Sequence, residues 1–498
     1  MICKKHNPMT PALILTVVAA YSALLFLVVW YTSRNADNES YFIGNKSSTW
    51  YVVAYGMIGA SLSGVTFMSV PGAVATTQFS YMQVVFGYLF GYAVIALVLM
   101  PVYYRMNLTS IYTYLEERFG NNTYLTGSFF FILSRTIGAA FRLYIVINVL
   151  QTFVFDAWGV PFVVTVGTFM ALILLYTYKG GVKTIVWTDT LQTTFMLITV
   201  VVSIFLISDE LGLSLGALTS KLWSEDISNI MVTDYLSPNF FWKNFLGGMF
   251  IAIAMTGLDQ EMMQKNLSCK NIGEAQKNMF TFSAVLVVIN FFFLMLGAAL
   301  VYYAMQYGIE INPKHTDDLF PNIALNHLGT VTGLLFIIGL ISAAYPSADG
   351  ALTALTTAVC YDFLKLNKKK GVTEESLKKT RYVVHISFAV ILLLVIVLFR
   401  VINDDAVIRN LFKVAGFTYG PLLGLFAFGL LTKRRLRDRL SPVICVLAPA
   451  VAWLIADKAP AMLGGYKFGF EMIIINGLIT FIGLYAISNS KSAIVQPE

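Results

Sequence analysis

VVAYGMIGASLSGVTFMSVPGAVAT, residues 52–76, is apolar enough to cross a bilayer, yet it interrupts itself with Gly56, Gly59 and Gly64 and with the hydroxyls of Ser61, Ser63 and Thr66. Glycine weakens a helical backbone, and any N–H or C=O freed inside a membrane must find a partner in the protein. This composition predicts a helix that unwinds in mid-membrane and turns carbonyls and hydroxyls toward a buried site. The competing reading is a close helix–helix contact through small residues.

The remainder of the chain is written for the same solvent. Of its 498 residues, 57% are hydrophobic and only 12% charged, with a mean hydropathy of +0.72, which excludes an ordinary soluble domain. Runs of about 20 apolar residues predict an all-α polytopic membrane protein with spans near 10–32, 50–75, 80–104, 123–155, 160–178, 184–207, 240–263, 278–305, 331–362, 381–401, 405–431, 441–457 and 468–487. With the N-terminus outside and the C-terminus in the cytoplasm, inside segments carry 22 Lys/Arg against 10 outside, although Lys4 and Lys5 oppose this orientation. The net charge of +7 is therefore a topological signature and not a nucleic-acid surface. Cys3, Cys269, Cys360 and Cys445 lack metal-ligand spacing, and no phosphate loop or catalytic Ser/His/Asp set is present, so neither an enzyme nor a cofactor is expected.

Along the chain, span 10–32 reads as peripheral and without chemistry. SRTIGAAFRLYIVINVLQ, residues 134–151, puts Arg135 and Arg142 seven residues apart on one helical face. Arg135 is within snorkelling reach of the inside surface. Arg142 lies deeper, where an unpaired guanidinium costs at least about 2.5 kcal/mol; it either pairs with a carboxylate (Asp189, Asp259 or Asp349) or awaits an anionic ligand. Asp189, with Gln192 and Thr193 on its face, is either an arginine's partner or an oxygen of a hard-cation site.

FLGGMFIAIAMTGLDQEMMQKN, residues 245–266, repeats the opening device: Thr256 and Gly257 interrupt a span, and Asp259 and Gln260 follow. Interrupted helices at corresponding places in two five-helix halves point to an inverted-repeat transporter with a midplane site. In GLISAAYPSADGALTALTTAVCYDF, residues 339–363, Ala343, Pro346 and Ser347 share a face, Pro346 cannot bond the Ser342 carbonyl, and Asp349 is a further intramembrane acid. Gly416, Gly420 and Pro421 predict a hinge. The connection 306–330 is long enough for a lid, the two last spans read as plain, and residues 488–498 as a disordered tail.

GASLSGVTFMSVPG, KGGVKTIVWTDTLQ, TGLDQEMMQKNLSCKN, AAYPSADGALTALTTAVCYDF and GFTYGPLLGLF, in this order and spacing, closely resemble the sodium:solute symporter family, which includes sodium/glucose, proline and sialic-acid transporters. The resemblance covers about residues 45 to 487. It implies the leucine-transporter-like fold: a peripheral helix and loop (1–45), a first inverted repeat (46–208), an extracellular connection (209–239), a second repeat (240–432), and two peripheral helices with a tail (433–498). It further implies a sodium site from the carbonyls of Gly59, Leu62 and Ala343 and the positions of Pro346 and Ser347, where Pro346 departs from the family by removing a hydroxyl. A second cation implied for some members maps to Asp189, Asp349 and Ser347; if it is present, transport of a monoanion moves net charge. For substrate, the implied positions are Ser61, Ser63, Thr66 and Arg142, with Gln83, Asp259 and Gln260 added, and the solute is a polar, carboxylate-bearing metabolite resembling sialic acid or another organic acid.

The expected function is thus sodium-coupled symport by alternating access in the cell membrane, by a chain working as a monomer with a small solute, sodium and lipid as partners. The rivals are a proton-coupled or facilitative transporter, motivated by Pro346 and Asp349, and a membrane solute sensor.

Overall fold

Among the described residues, eight apolar helices long enough to cross a membrane, three bent helix pairs and two shorter apolar helices correspond to the thirteen apolar runs of the sequence. The computed structural model describes residues 9–32, 49–108, 110–177, 182–366, 373–402 and 406–492. Lys4, Lys5, Lys179, the centre of the basic 365–381 cluster and the final six residues lie outside the described residues, as does the side chain of Lys183.

In chain order the helices are α1 (Pro11–Thr32), α2 (Trp50–Ser61), α3 (Gly64–Thr77), α4 (Tyr81–Arg105), α5 (Thr113–Arg118), α6 (Asn121–Trp158), α7 (Phe162–Thr177), α8 (Val182–Glu210) and α9 (Leu215–Ser224). The second half comprises α10 (Phe241–Gly257), α11 (Gln260–Leu267), α12 (Ile272–Tyr307), α13 (Leu319–Asn326), α14 (Gly329–Phe363), α15 (Glu374–Ile402), α16 (Val407–Thr418), α17 (Gly420–Leu431), α18 (Ser441–Met462) and α19 (Met472–Ala486). The breaks fall where Gly and Ser predicted them: α2 and α3 meet at 60°, α10 and α11 at 65°, and α16 and α17 at 44°.

Small residues set the closest approaches. A Cβ at Gly248 of α10 would lie 2.9 Å from the Val84 Cα of α4, and one at Gly91 of α4 would lie 2.7 Å from the Ala252 Cβ of α10. Backbones in contact maximise packing where lipid offers no hydrophobic drive between helices. Around this pair, α8 packs along α14 and α2, and α12 along α3. Phe67 of α3 sits in an aromatic cluster with Phe320 of α13 and Phe336 of α14, at centroid distances of 5.3 and 5.8 Å.

Several peripheral segments are less plain than their composition. Tyr21 of α1 accepts a bond from Ser342 Oγ (2.7 Å), and Ser22 bonds the Tyr345 hydroxyl (2.9 Å), so α1 is seamed onto α14 through one face. The amide of Asn476 on α19 donates to the carbonyls of Gly416 and Phe417 at 3.0 and 2.8 Å, satisfying the backbone freed at the α16–α17 hinge. The connection 306–330 contains α13, and Asp317 Oδ2 accepts from Val407 N (2.9 Å), pinning this connection to the first turn of α16. The tail departs from expectation: Ser488–Ser492 pairs antiparallel with Arg434–Leu436, so part of the stretch read as disordered is a strand.

Just after that strand pair, the Asp438 carboxylate accepts from Asn122 N (3.0 Å) and Thr123 N (2.7 Å) and from both of their side chains. A side chain distant in sequence thereby caps α6, the helix that carries both arginines. Asp438→Ala is expected to lower stability by about 1–2 kcal/mol, with Asp438→Asn losing less; thermal unfolding of the purified protein in detergent checks this.

Candidate functional site

At the first break, Leu62 N still bonds Ile58 O (2.8 Å), but Leu62 (ψ 102°) and Ser63 (ψ 178°) are extended, and α3 restarts with Phe67 N on Ser63 O (2.9 Å). The carbonyls of residues 59–61, at the end of α2, and of its C-cap Leu62 are the four that have no N–H partner in helical register. Gly59 and Leu62, read from sequence as carbonyl donors, are two of these four. Gly64 lets α3 start directly against α6: a Cβ there would lie 2.9 Å from the Arg142 carbonyl oxygen. One glycine therefore brings the hydroxyl-bearing break and the deep arginine together.

The result is a cavity lined by Ser61, Ser63, Thr66 and Arg142, all anticipated, and by Tyr81, Tyr88, Tyr92 and Asn290, which were not. Residues of α10 and α16, among them Thr256 and Phe412, close its other sides. The three tyrosines stand seven and four residues apart on α4, a helical-face spacing that was available in the sequence. Tyr81 and Tyr88 share a hydroxyl hydrogen bond of 3.2 Å. The cavity lies toward the beginnings of α4 and α16, where Tyr81 and Ile408 line it.

The two arginines of α6 have opposite electrostatic situations. Arg135, 3% exposed, is ion-paired with Glu261 and lies 3.7 Å from Asp259 Oδ2, so it does not snorkel to the surface. Arg142 makes no ion pair with a carboxylate among the described residues, and its Nε, like that of Arg135, is buried without a hydrogen-bond partner. None of Asp189, Asp259 and Asp349, named as possible partners, is ion-paired with Arg142.

A buried charge network starts at the cavity wall, where Arg135 lines the cavity together with Arg142. Lys265 Nζ is 2.7 Å from Asp189 Oδ2 and 3.4 Å from Glu261 Oε1, and Glu261 bonds Arg135. Asp189 thus faces an ammonium, and the reading that joined it with Asp349 and Ser347 around a second metal cation omitted Lys265. Asp349 Oδ1 accepts from Gly350 N (2.5 Å). Glu261 and Lys265 were legible as an i,i+4 pair in the run DQEMMQK, but this run gave no sign that they would be buried.

Three further residues read as substrate contacts are placed elsewhere. Asp259 Oδ1 caps α11 by accepting from Glu261 N (3.0 Å) and Met262 N (3.2 Å), while its Oδ2 accepts from Tyr419 (3.2 Å). Gln260 Oε1 accepts from Ile111 N (3.0 Å). Gln83 donates to the Ile230 carbonyl and accepts from Asn244 Nδ2 (3.1 Å), fastening the connection before α10. None of the three lines the cavity. At this second break the freed carbonyls are already taken: Tyr103 donates to Gly257 O (2.9 Å) and Tyr112 to Leu258 O (2.8 Å).

Of the other positions read as sodium ligands, Ala343, Pro346 and Ser347 are all buried on α14, which packs against α2 and α3. Pro346 sits inside the helix, and the Ser347 hydroxyl donates to Ala343 O at 3.4 Å, a long bond.

A bundle with interrupted helices heading two halves, unpaired carbonyls at one break and a polar cavity beside it has the architecture of solute transporters built from discontinuous helices. The chain belongs to the sodium:solute symporter family, whose model matches residues 41–438. It is 24% identical to the sodium/sialic acid symporter SiaT of Proteus mirabilis over 87% of each chain, and 23% identical to NanT of Aliivibrio fischeri, also a sodium/sialic acid symporter, over 93% of this chain and 91% of that one. Mouse sodium-coupled monocarboxylate transporter 1 is 26% identical over 79% of this chain and 64% of its own. A solved structure of a substrate-bound, outward-open Na+-coupled sialic acid symporter superposes with a TM-score of 0.80 at 21% identity, covering 96% of this chain and 99% of that one. The fold is therefore the leucine-transporter-like one anticipated from the motifs.

Arg135→Met strands Glu261 and Asp259 in the interior and is expected to cost about 3–5 kcal/mol. Arg142→Met removes a cation without a carboxylate partner and is expected to leave stability within about 1 kcal/mol of the parent. Thermal unfolding of the two variants side by side checks the contrast.

Proposed function

We propose that the chain is a sodium-coupled symporter of a small carboxylate-bearing solute, resembling an acid sugar or another organic monocarboxylate, working by alternating access in the cell membrane. The observation that carries the substrate class is Arg142, a cation facing the cavity without a carboxylate partner, seven residues from an arginine that has two. A planar fork of donors is matched to a carboxylate, and the hydroxyls of Ser61, Ser63 and Thr66 face the same cavity to take polar groups of the solute. The names of the relatives, sodium/sialic acid and sodium-coupled monocarboxylate transporters, support the same class.

The sodium site in this reading comprises the carbonyls of Gly59, Leu62 and Ala343 and the Ser347 hydroxyl, an all-oxygen set suited to a hard monovalent cation. Pro346 supplies no ligand. Sodium bound there holds the α2–α3 break open beside Arg142, and the solute completes the site. With the N-terminus outside, the beginnings of α4 and α16 face out, so the cavity belongs to the outer pathway while the Arg135–Lys265 network closes the inner one. The repeats 46–208 and 240–432 then rock about the site. Nothing in this cycle requires covalent chemistry, and the chain acts as a monomer without a cofactor.

The test is unfolding of the purified full-length protein, followed by tryptophan fluorescence, in sodium or potassium with N-acetylneuraminate, lactate or glucose. Sodium is expected to raise the midpoint, and an acid ligand to raise it further only in sodium. Arg142→Gln is expected to keep the first rise and lose the second, and Ser347→Ala to raise the half-saturating sodium concentration several-fold. Equal midpoints in sodium and potassium, with or without acid, would contradict sodium coupling.

A further inference from the structure

Lys265 is 3% exposed, and its ammonium sits between two carboxylates, Asp189 and Glu261, at 2.7 and 3.4 Å. Both belong to residues packed against the helices of the proposed sodium site. Asp189 lies on α8 where that helix meets the first break: its carbonyl oxygen is 3.1 Å from where a Cβ would stand at Gly59, and it accepts the Thr193 hydroxyl at 2.6 Å. Glu261 lies against α14 at Gly350, where a Cβ would collide with its carboxylate, three residues beyond Ser347.

We propose that the Lys265 ammonium is a resident cation, tethered to α11 and occupying the place between Asp189 and Glu261 that a second sodium would need, so that one sodium binds to this chain. The inference rests on the sodium site proposed above. Three observations carry it further than an ordinary buried ion pair. First, this position has the ligands a metal ion would use: Asp189 Oδ1 and the amide oxygen of Gln192, at i+3 on the same face, are buried without partners. Second, the network holds three carboxylates against two cations, so losing Lys265 leaves an excess of two negative charges that a monovalent ion would reduce. Third, Asp189 adjoins Gly59, whose carbonyl is a sodium ligand in this reading, so the ammonium is held by the wall of the sodium site itself.

The consequence is electrical. A tethered ammonium cannot leave with the solute, so sodium and a monoanion cross as a neutral pair, whereas a second sodium at this place would make each cycle carry one positive charge.

The test counts ions directly, by equilibrium binding of 22Na+ to the purified full-length protein at saturating sodium. The wild type is expected to bind one sodium per chain, Lys265→Met two, and the Lys265→Met/Asp189→Asn double variant one again. Two ions on the wild type overturn the inference without any variant, as does a folded Lys265→Met that still binds one. Lys265→Arg, which keeps the charge, is expected to bind one; two ions there also overturn it. Absence of specific sodium binding to the wild type overturns the sodium reading, and this inference with it.

Discussion

Everything in this molecule depends on how it accommodates backbone polar groups released inside a membrane-spanning bundle. A carbonyl without a helical N–H partner cannot turn to water there, so each break must bring its own solution. The two long breaks are solved oppositely. At Gly257–Asp259 the protein answers internally, with Tyr103 and Tyr112 taking carbonyls and Asp259 capping the next helix. At Gly59–Leu62 the carbonyls end beside α8, α14 and the cavity. The same sequence device thus yields a joint closed by tyrosine donors in one half and a joint beside a polar cavity in the other.

The charges connect the two breaks. Five ionisable side chains, Arg135 of α6, Asp189 of α8, the capping Asp259, and Glu261 and Lys265 of α11, form one connected network, with Glu261 against α14 and the Asp189 backbone beside Gly59. Removing one partner of such a network leaves a buried charge uncompensated, which is why its members act as a unit. Arg142 stands apart from it. It has no carboxylate partner among the described residues, while Arg135 engages Glu261 and approaches Asp259.

Legibility followed the physical range of each signal. Apolar runs, glycines at the breaks, and hydroxyls next to them act locally, so the spans, the three bends and the cavity positions of Ser61, Ser63, Thr66 and Arg142 could be read directly. Asp259, Gln260 and Gln83, which read as substrate contacts, do not line the cavity: a polar residue beside a break has the same sequence signature whether it meets a ligand or ties down another segment. Only the partners distinguish the two, and Ile111, Tyr419 and Ile230 lie more than 140 residues away in sequence. The ordering of Ser488–Ser492 likewise depends on a strand some fifty residues earlier.

The sequence by itself determined that the chain crosses a membrane many times, that its helices break at Gly59–Gly64 and Thr256–Asp259, and that an arginine lies deep in α6. These follow from hydropathy, backbone propensity and helical periodicity, all of which act over a few residues. Tertiary structure alone decided which of the buried charges are paired. An ion pair forms between side chains a few ångströms apart whatever their separation along the chain, so only the packing of α6, α8 and α11 could give Arg135 to Glu261 and Lys265 to Asp189, and leave Arg142 facing the cavity.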